Sequence, residues 1–264
     1  MFLRLMLGAV ALVGVAIADG GAASAFARPS YTPGYIALGG STAYGSGASV
    51  TDNSYVPQFA QFLQSKEGLK RDIQVTNLAL PYAGALGVAG ESFAAAAVIA
   101  EANADRSKKN DVRLLTLDTA AADDLITRIL VCADGLTPGC LAAGQDLAGT
   151  YAVVLNDALN MIRSADSDLP IVVMTAHNPS LKPSCEVNFL VPVWDAFLEG
   201  HPALGIERGL NDITRELAAR YGAETVETYG LLTGDDFADC LSPNDLGHSK
   251  IAGALISAFD KHLK

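Results

Sequence analysis

Residues 35–43 read Tyr-Ile-Ala-Leu-Gly-Gly-Ser-Thr-Ala, an apolar strand pattern running into a glycine-rich turn that ends on Ser41. A serine in such a turn exposes its hydroxyl and gathers backbone N–H groups around one point, which suits a nucleophile with an oxyanion donor. A serine nucleophile also needs a proton acceptor near neutral pH, the usual task of histidine. The chain has His177, His201, His248 and His262. His177 directly follows the apolar run Ile171 to Thr175 and is the candidate substitute base. His201, beside Pro202, and His262, near the end of the sequence, carry no expected chemistry. Asp118, Asp123, Asp124 and Asp239 form the other reactive group. Four acids suit a hard cation, but no DxDxDG-like loop orders them, so no metal is expected.

These residues need elements to position them. Short apolar runs at Tyr35 to Leu38, Ile73 to Leu78, Val112 to Leu117 and Ile171 to Thr175, with a weaker one at Glu224 to Thr228, read as strands. Between them, Tyr55, Val56, Phe59, Phe62 and Leu63 recur at helical spacing. So do Tyr151, Val154, Leu155, Leu159 and Ile162, and then Leu210, Ile213 and Leu217. A last helix is expected after Gly247, through Ile251, Leu255, Ile256 and Phe259, and the alanines 94–97 read as a helix packed closely on the sheet. The alternation predicts an α/β fold, a three-layer α/β/α sandwich around a mainly parallel sheet of about five strands. Ligands in such sheets bind beyond the carboxyl ends of the strands. That rule places Ser41, Tyr82 to Gly84, Asp118 to Asp124, His177 and Asp239 to Ser242 along one edge. Segment 189–207, with Pro192, Trp194, Pro202 and Gly205, interrupts the order and reads as a lid over the site or a surface excursion. Trp194, Phe197 and Tyr229 read as core residues or as the lining of an apolar groove.

Composition narrows the functions. Arg4, the apolar run Leu5 to Ile17 and the small residues around Ala25 have the pattern of a signal peptide, expected to span residues 1–27, with one domain over 28–264. No other stretch reads as long and apolar enough to cross a bilayer, so neither stable membrane insertion after cleavage nor a cytoplasmic location is expected. Against 29 Asp+Glu stand 18 Lys+Arg, a formal charge of −11 that is unchanged when Arg4 and Asp19 leave together. Such a surface repels nucleic acid and anionic lipid, which drop out as partners. Cys132, Cys140, Cys185 and Cys240 suit two disulfides in an oxidising compartment. Of the three pairings, Cys132 with Cys140 and Cys185 with Cys240 is favoured. Zinc is not expected, since no pair has CxxC spacing.

The Ser41 turn resembles the first block of the SGNH/GDSL hydrolase family, where a strand leads to Gly-Asp-Ser. Asn77-Leu78-Ala79-Leu80-Pro81, the strand leading to Asp123-Asp124, Asn178-Pro179, and Asp239-Cys240-Leu241-Ser242-Pro243-Asn244-Asp245-Leu246-Gly247-His248 are similar to later blocks, in order. The resemblance implies acyl transfer from a carboxylic ester, of a lipid or an acetylated sugar, to Ser41 without a cofactor. It also implies a small ester, lipid or glycan ligand for a protein that the signal-peptide pattern and the cysteines already mark as secreted or extracytoplasmic; oligomeric state is left open. Four positions depart from it. Gly40 replaces the Asp before the serine. Tyr82 stands at the oxyanion glycine, unless a local shift brings Gly84 there. Asp123 replaces the oxyanion Asn. Asp239 is kept, but Ser242 occupies the position of the catalytic His, and His248 is given a structural role at the last helix. A serine cannot serve as base, and an ionised Asp123 accepts hydrogen bonds without donating them, so it would face the developing oxyanion as a like charge. The expectation is a weak or inactive hydrolase. The alternative is an acyl- or glycan-binding protein that uses the same pocket without turnover.

Overall fold

A computed structural model describes residues 34–66, 73–104 and 111–262, all within the unit Tyr31–Lys264. The expected signal peptide lies outside the described residues. Five strands, β1 (Gly34–Leu38), β2 (Gln74–Asn77), β3 (Val112–Asp118), β4 (Ile171–Met174) and β5 (Glu224–Val226), form a parallel sheet in the order β2-β1-β3-β4-β5. Among the described residues the helices are α1 (Ser41–Tyr44), α2 (Tyr55–Ser65), α3 (Gly84–Ala104), α4 (Ala121–Ile126), α5 (Ile129–Cys132), α6 (Pro138–Ala165), α7 (Val191–Glu199), α8 (Leu210–Arg220) and α9 (Asp245–His262).

The sheet is covered on both faces because its strands alternate two apolar sets. Tyr35, Ala37, Leu114, Val172 and Met174 point into one core with Tyr55, Phe59 and Leu63 of α2 and Ile251 and Leu255 of α9. Their neighbours Ile36, Leu38, Leu115, Leu117, Ile171 and Val173 point into the other, filled by α3, α6, α7 and α8. The chain leaves β1 for β2 on one side and reaches β3 on the other, so the strand order reverses between β1 and β3. The carboxyl edge at such a reversal is where ligands bind in sheets of this kind.

Two expectations are corrected. Segment 189–207 is no lid: it contains α7, whose Trp194, Phe197 and Leu198 are buried in the second core. Its seat is shaped by Gly144 of α6, where a Cβ would lie 2.2 Å from the Phe197 ring. The apolar positions 193, 194, 197 and 198 have helical spacing, which outweighs the flanking Pro and Gly. The second correction concerns α3, which is long and apolar enough to cross a membrane by length and composition. Its Val88, Ala95 and Ile99 are instead buried in the core. The two favoured disulfides, Cys132–Cys140 and Cys185–Cys240, both form. The second ties the loop after β4 to the loop before α9.

Candidate active site

Ser41 begins α1 directly after β1, and its backbone enters the helix through Gly39 and Gly40. Gly39 has φ 140°, a conformation that L side chains rarely adopt, and a Cβ there would meet Asp118 at 2.5 Å. The turn therefore sits directly against the end of β3. Ser41 is 8% exposed, its N–H donates to Asp123 Oδ2 at 2.9 Å, and its Oγ accepts the Tyr82 N–H at 3.0 Å.

Tyr82, in the turn after β2, has φ 58°. The left-handed region costs a non-glycine residue about 1–2 kcal/mol, yet the tyrosine occupies it. Its ring is no obstruction, because the residue is 65% exposed and projects outward. Gly84, also at φ 58°, faces Asp124, whose Oδ1 would lie 2.3 Å from a Cβ there. Among these two, Tyr82 is the one whose N–H meets Ser41.

Asp123 lies on the first turn of α4, which opens from Ala120 at φ 57°. Its carboxylate accepts the Ser41 N–H and is favoured by the neighbouring Ser41 hydroxyl and Tyr82 N–H, while burial, the larger effect, pushes its pKa upward. Gly40 makes room for it: a Cβ at 40 would lie 2.2 Å from Asp123 Oδ2 and 2.8 Å from Ala120 Cβ. The aspartate expected at 40 from the Gly-Asp-Ser pattern is therefore incompatible with Asp123 in this pose. A side chain at 40 and the residue 123 side chain in this pose compete for the same space.

Further acids lie beneath. Asp118 ends β3, accepts the Ala43 N–H at 3.3 Å and the Ala120 N–H at 3.2 Å, and is pushed up to about 6, by burial first and Asp123 second. Glu91 of α3, not anticipated from the sequence, accepts the Gly39 N–H at 2.7 Å and the Leu80 N–H at 3.1 Å. Burial raises it to about 7, with Asp118 and Asp123 adding to the effect. Asp124 accepts the Ala85 N–H at 2.9 Å and is also raised by burial. The readable signal for Glu91 was its isolation: it is the sole charged residue between positions 84 and 100. Among the described residues no group of three or more His, Cys, Asp and Glu is arranged to hold a metal ion.

The remaining candidates are not among the hydrogen-bond partners of Ser41 within the described residues. Asp239 is exposed, and its Oδ1 accepts the Leu241 and Ser242 N–H groups, each at 2.7 Å, so it shapes its own turn. Ser242 is buried beside the turn that follows α1, with its Cβ 2.8 Å from where a Cβ on Gly47 would stand. His177 is buried, bonded to the Leu241 backbone and packed near the Phe237 ring, with Nε2 unpartnered. Burial lowers its pKa to about 4, with His248 contributing. His248 lies with Nε2 3.0 Å from Ser46 O and stacks on Tyr55. No imidazole is among the hydrogen-bond partners of Ser41 within the described residues.

Comparison with known proteins agrees with this placement at the level of the fold. No protein-family model and no curated protein matches the sequence. Solved structures do. The lipase Lip_vut3 from a goat rumen metagenome superposes with a TM-score of 0.61 at 17% identity, covering 88% of this chain and 100% of that one. An extracellular lipase from Streptomyces rimosus gives 0.56 at 18% identity, covering 86% and 100%. Phospholipase A1 from Streptomyces albidoflavus NA297 gives 0.52 at 16%, covering 87% and 99%. With Ser41 after β1 in a five-stranded parallel sheet, this chain has the fold of the SGNH/GDSL lipases and esterases.

Proposed function

We propose that the protein is an exported SGNH-type serine ester hydrolase homologue whose turnover of carboxylic esters is far below that of a complete Ser-His-Asp enzyme. One observation carries the reading: the Ser41 hydroxyl accepts the Tyr82 N–H and lies beside Asp123, and among the described residues no imidazole is bonded to it. Loss of the histidine from such a triad removes several powers of ten in rate, leaving roughly a thousandfold over water from binding and oxyanion donors. The substrate class follows by analogy with the lipases and phospholipase of the same fold: a lipid ester, or an acetylated sugar, acting without a cofactor. Two disulfides support an extracytoplasmic location.

The second reading, acyl or glycan binding without turnover, draws on the exposed apolar residues Tyr44, Leu80, Tyr82 and Leu86, close in sequence to the atoms that touch Ser41. Hydrolysis of p-nitrophenyl acetate and butyrate by wild type and Ser41→Ala tests the first. An ordinary enzyme rate that Ser41→Ala abolishes would refute it. A saturable acyl or glycan ligand that raises the melting temperature with no product by mass spectrometry would favour the second.

A further inference from the structure

We propose that Asp123 is the proton acceptor for Ser41 and, once protonated, the donor that meets the oxyanion; this rests on the acyl-transfer reading above. The hydroxyl's oxygen receives the Tyr82 N–H at 3.0 Å, and the Asp123 carboxylate, tied to the same residue through the Ser41 N–H, lies beside the hydroxyl and is stabilised by it. Position 123 is fixed by the Ser41 N–H at 2.9 Å and by the space Gly40 leaves. The groups around it are Glu91 from α3, Asp118 from β3 and Asp124 from α4, with Arg128 set against Asp124. No cation is among the groups that shift its ionisation. Burial makes Asp123 hold a proton more firmly than an ordinary aspartate, which strengthens it as a base.

The step balances. As Ser41 Oγ bonds to the ester carbonyl carbon, its proton passes to Asp123 and the carbonyl π pair moves to the carbonyl oxygen. The negative charge moves from carboxylate to oxyanion, so the two never coexist, and the like-charge repulsion expected from an ionised Asp123 does not arise on this path. The neutral carboxyl carries an O–H that can donate to the oxyanion. On collapse the bond to the leaving oxygen breaks, that oxygen takes the proton from Asp123, and the acyl group stays on Ser41. Water then repeats the sequence: its proton goes to Asp123 while its oxygen adds to the acyl carbon, and the proton passes to Ser41 Oγ as that bond breaks. A carboxylate is a weaker base than imidazole, so the rate stays low.

The test is acetylation of Ser41 by p-nitrophenyl acetate, followed by intact-protein mass spectrometry from pH 4 to 8. Ser41→Ala serves as control. Wild type is expected to acquire one acetyl group at a rate that rises with pH through a single ionisation. Asp123→Asn, nearly isosteric and supplying the family's donor, is expected to be at least about 100-fold slower. Asp123→Ala is expected to regain rate with added sodium formate. A rate in Asp123→Asn equal to or above wild type overturns the proposal, as does a wild-type rate independent of pH, which needs no variant to fold. Absence of any Ser41-linked acetyl group overturns it while leaving the disabled-hydrolase reading standing. Ordinary enzymatic turnover that persists in Asp123→Asn overturns both.

Discussion

Replacing Glu91 by Gln probes the acid cluster under Ser41 through stability, independently of any substrate. Glu91 is 4% exposed and held by the Gly39 and Leu80 N–H groups. Its folded pKa of about 7 lies above the reference 4.5. A raised carboxyl contributes stability that is fully present below the unfolded pKa and lost as pH rises through the folded one. Integrated from pH 5 to pH 8 between those two values, the loss is at most about 2.5 kcal/mol. Asp118, raised to about 6, acts in the same direction. His177, lowered to about 4, acts in the opposite one, because its unfolded form takes up a proton as pH falls below neutral. The wild-type curve mixes these contributions, but its difference from Glu91→Gln isolates one. Gln cannot accept both N–H groups as a carboxylate does, which lowers the variant's curve without restoring its slope. Urea unfolding at pH 5, 6, 7 and 8 should therefore show a wild-type advantage over Glu91→Gln that is largest at pH 5 and shrinks as pH rises, by at most about 2.5 kcal/mol between pH 5 and pH 8. Parallel curves across the four pH values would refute the account of Glu91 as a buried, shifted acid.

Other expectations follow from single contacts. Gly144→Ala puts a methyl into the Phe197 ring, so despite the better helix propensity it should destabilise by about 1–3 kcal/mol in chemical denaturation. Converting Cys185 and Cys240 together to serine opens a bridge with a sequence separation of 55 and should cost up to about 4 kcal/mol on the loop-entropy scale. Because the bridge holds the loop carrying Asp239 and Ser242, that loop should also become protease-sensitive before the core unfolds. Ser242→His combined with Asp123→Asn supplies an imidazole and a donor at the family positions. Esterase activity should rise at least about 100-fold over Asp123→Asn alone, and no gain would show that position 242 lies too far from Ser41.

The three central strands were legible because parallel strands buried on both faces read as uninterrupted apolar runs, whereas the more exposed edge strands β2 and β5 left a mixed run and a weak one. All five were located to within one or two residues of their observed ends. The edge rule then brought Ser41, Tyr82 and Asp123 together, although they are dispersed in sequence. What stayed hidden was three-dimensional. Whether Tyr82 or Gly84 faces Ser41 depends on a non-glycine residue entering the left-handed region, which residue preference argues against. The clash between a side chain at 40 and Asp123 spans two loops and has no local signature. For His177 the position after a strand left open a loop histidine bonded to backbone or a substitute base, and its burial and bond to the Leu241 backbone come from a loop distant in sequence.

The contact between Gly40 and Asp123 also constrains mutational history. A chain with aspartate at 40 could not hold the carboxylate of residue 123 where it now lies, since any Cβ at 40 overlaps it. On a path from a Gly-Asp-Ser ancestor, loss of the side chain at 40 is permissive and has to precede or accompany settlement of the acid against Ser41. In the reverse direction a side chain at 40 displaces the residue 123 carboxylate from the Ser41 N–H, so each of the two positions decides what the other can hold.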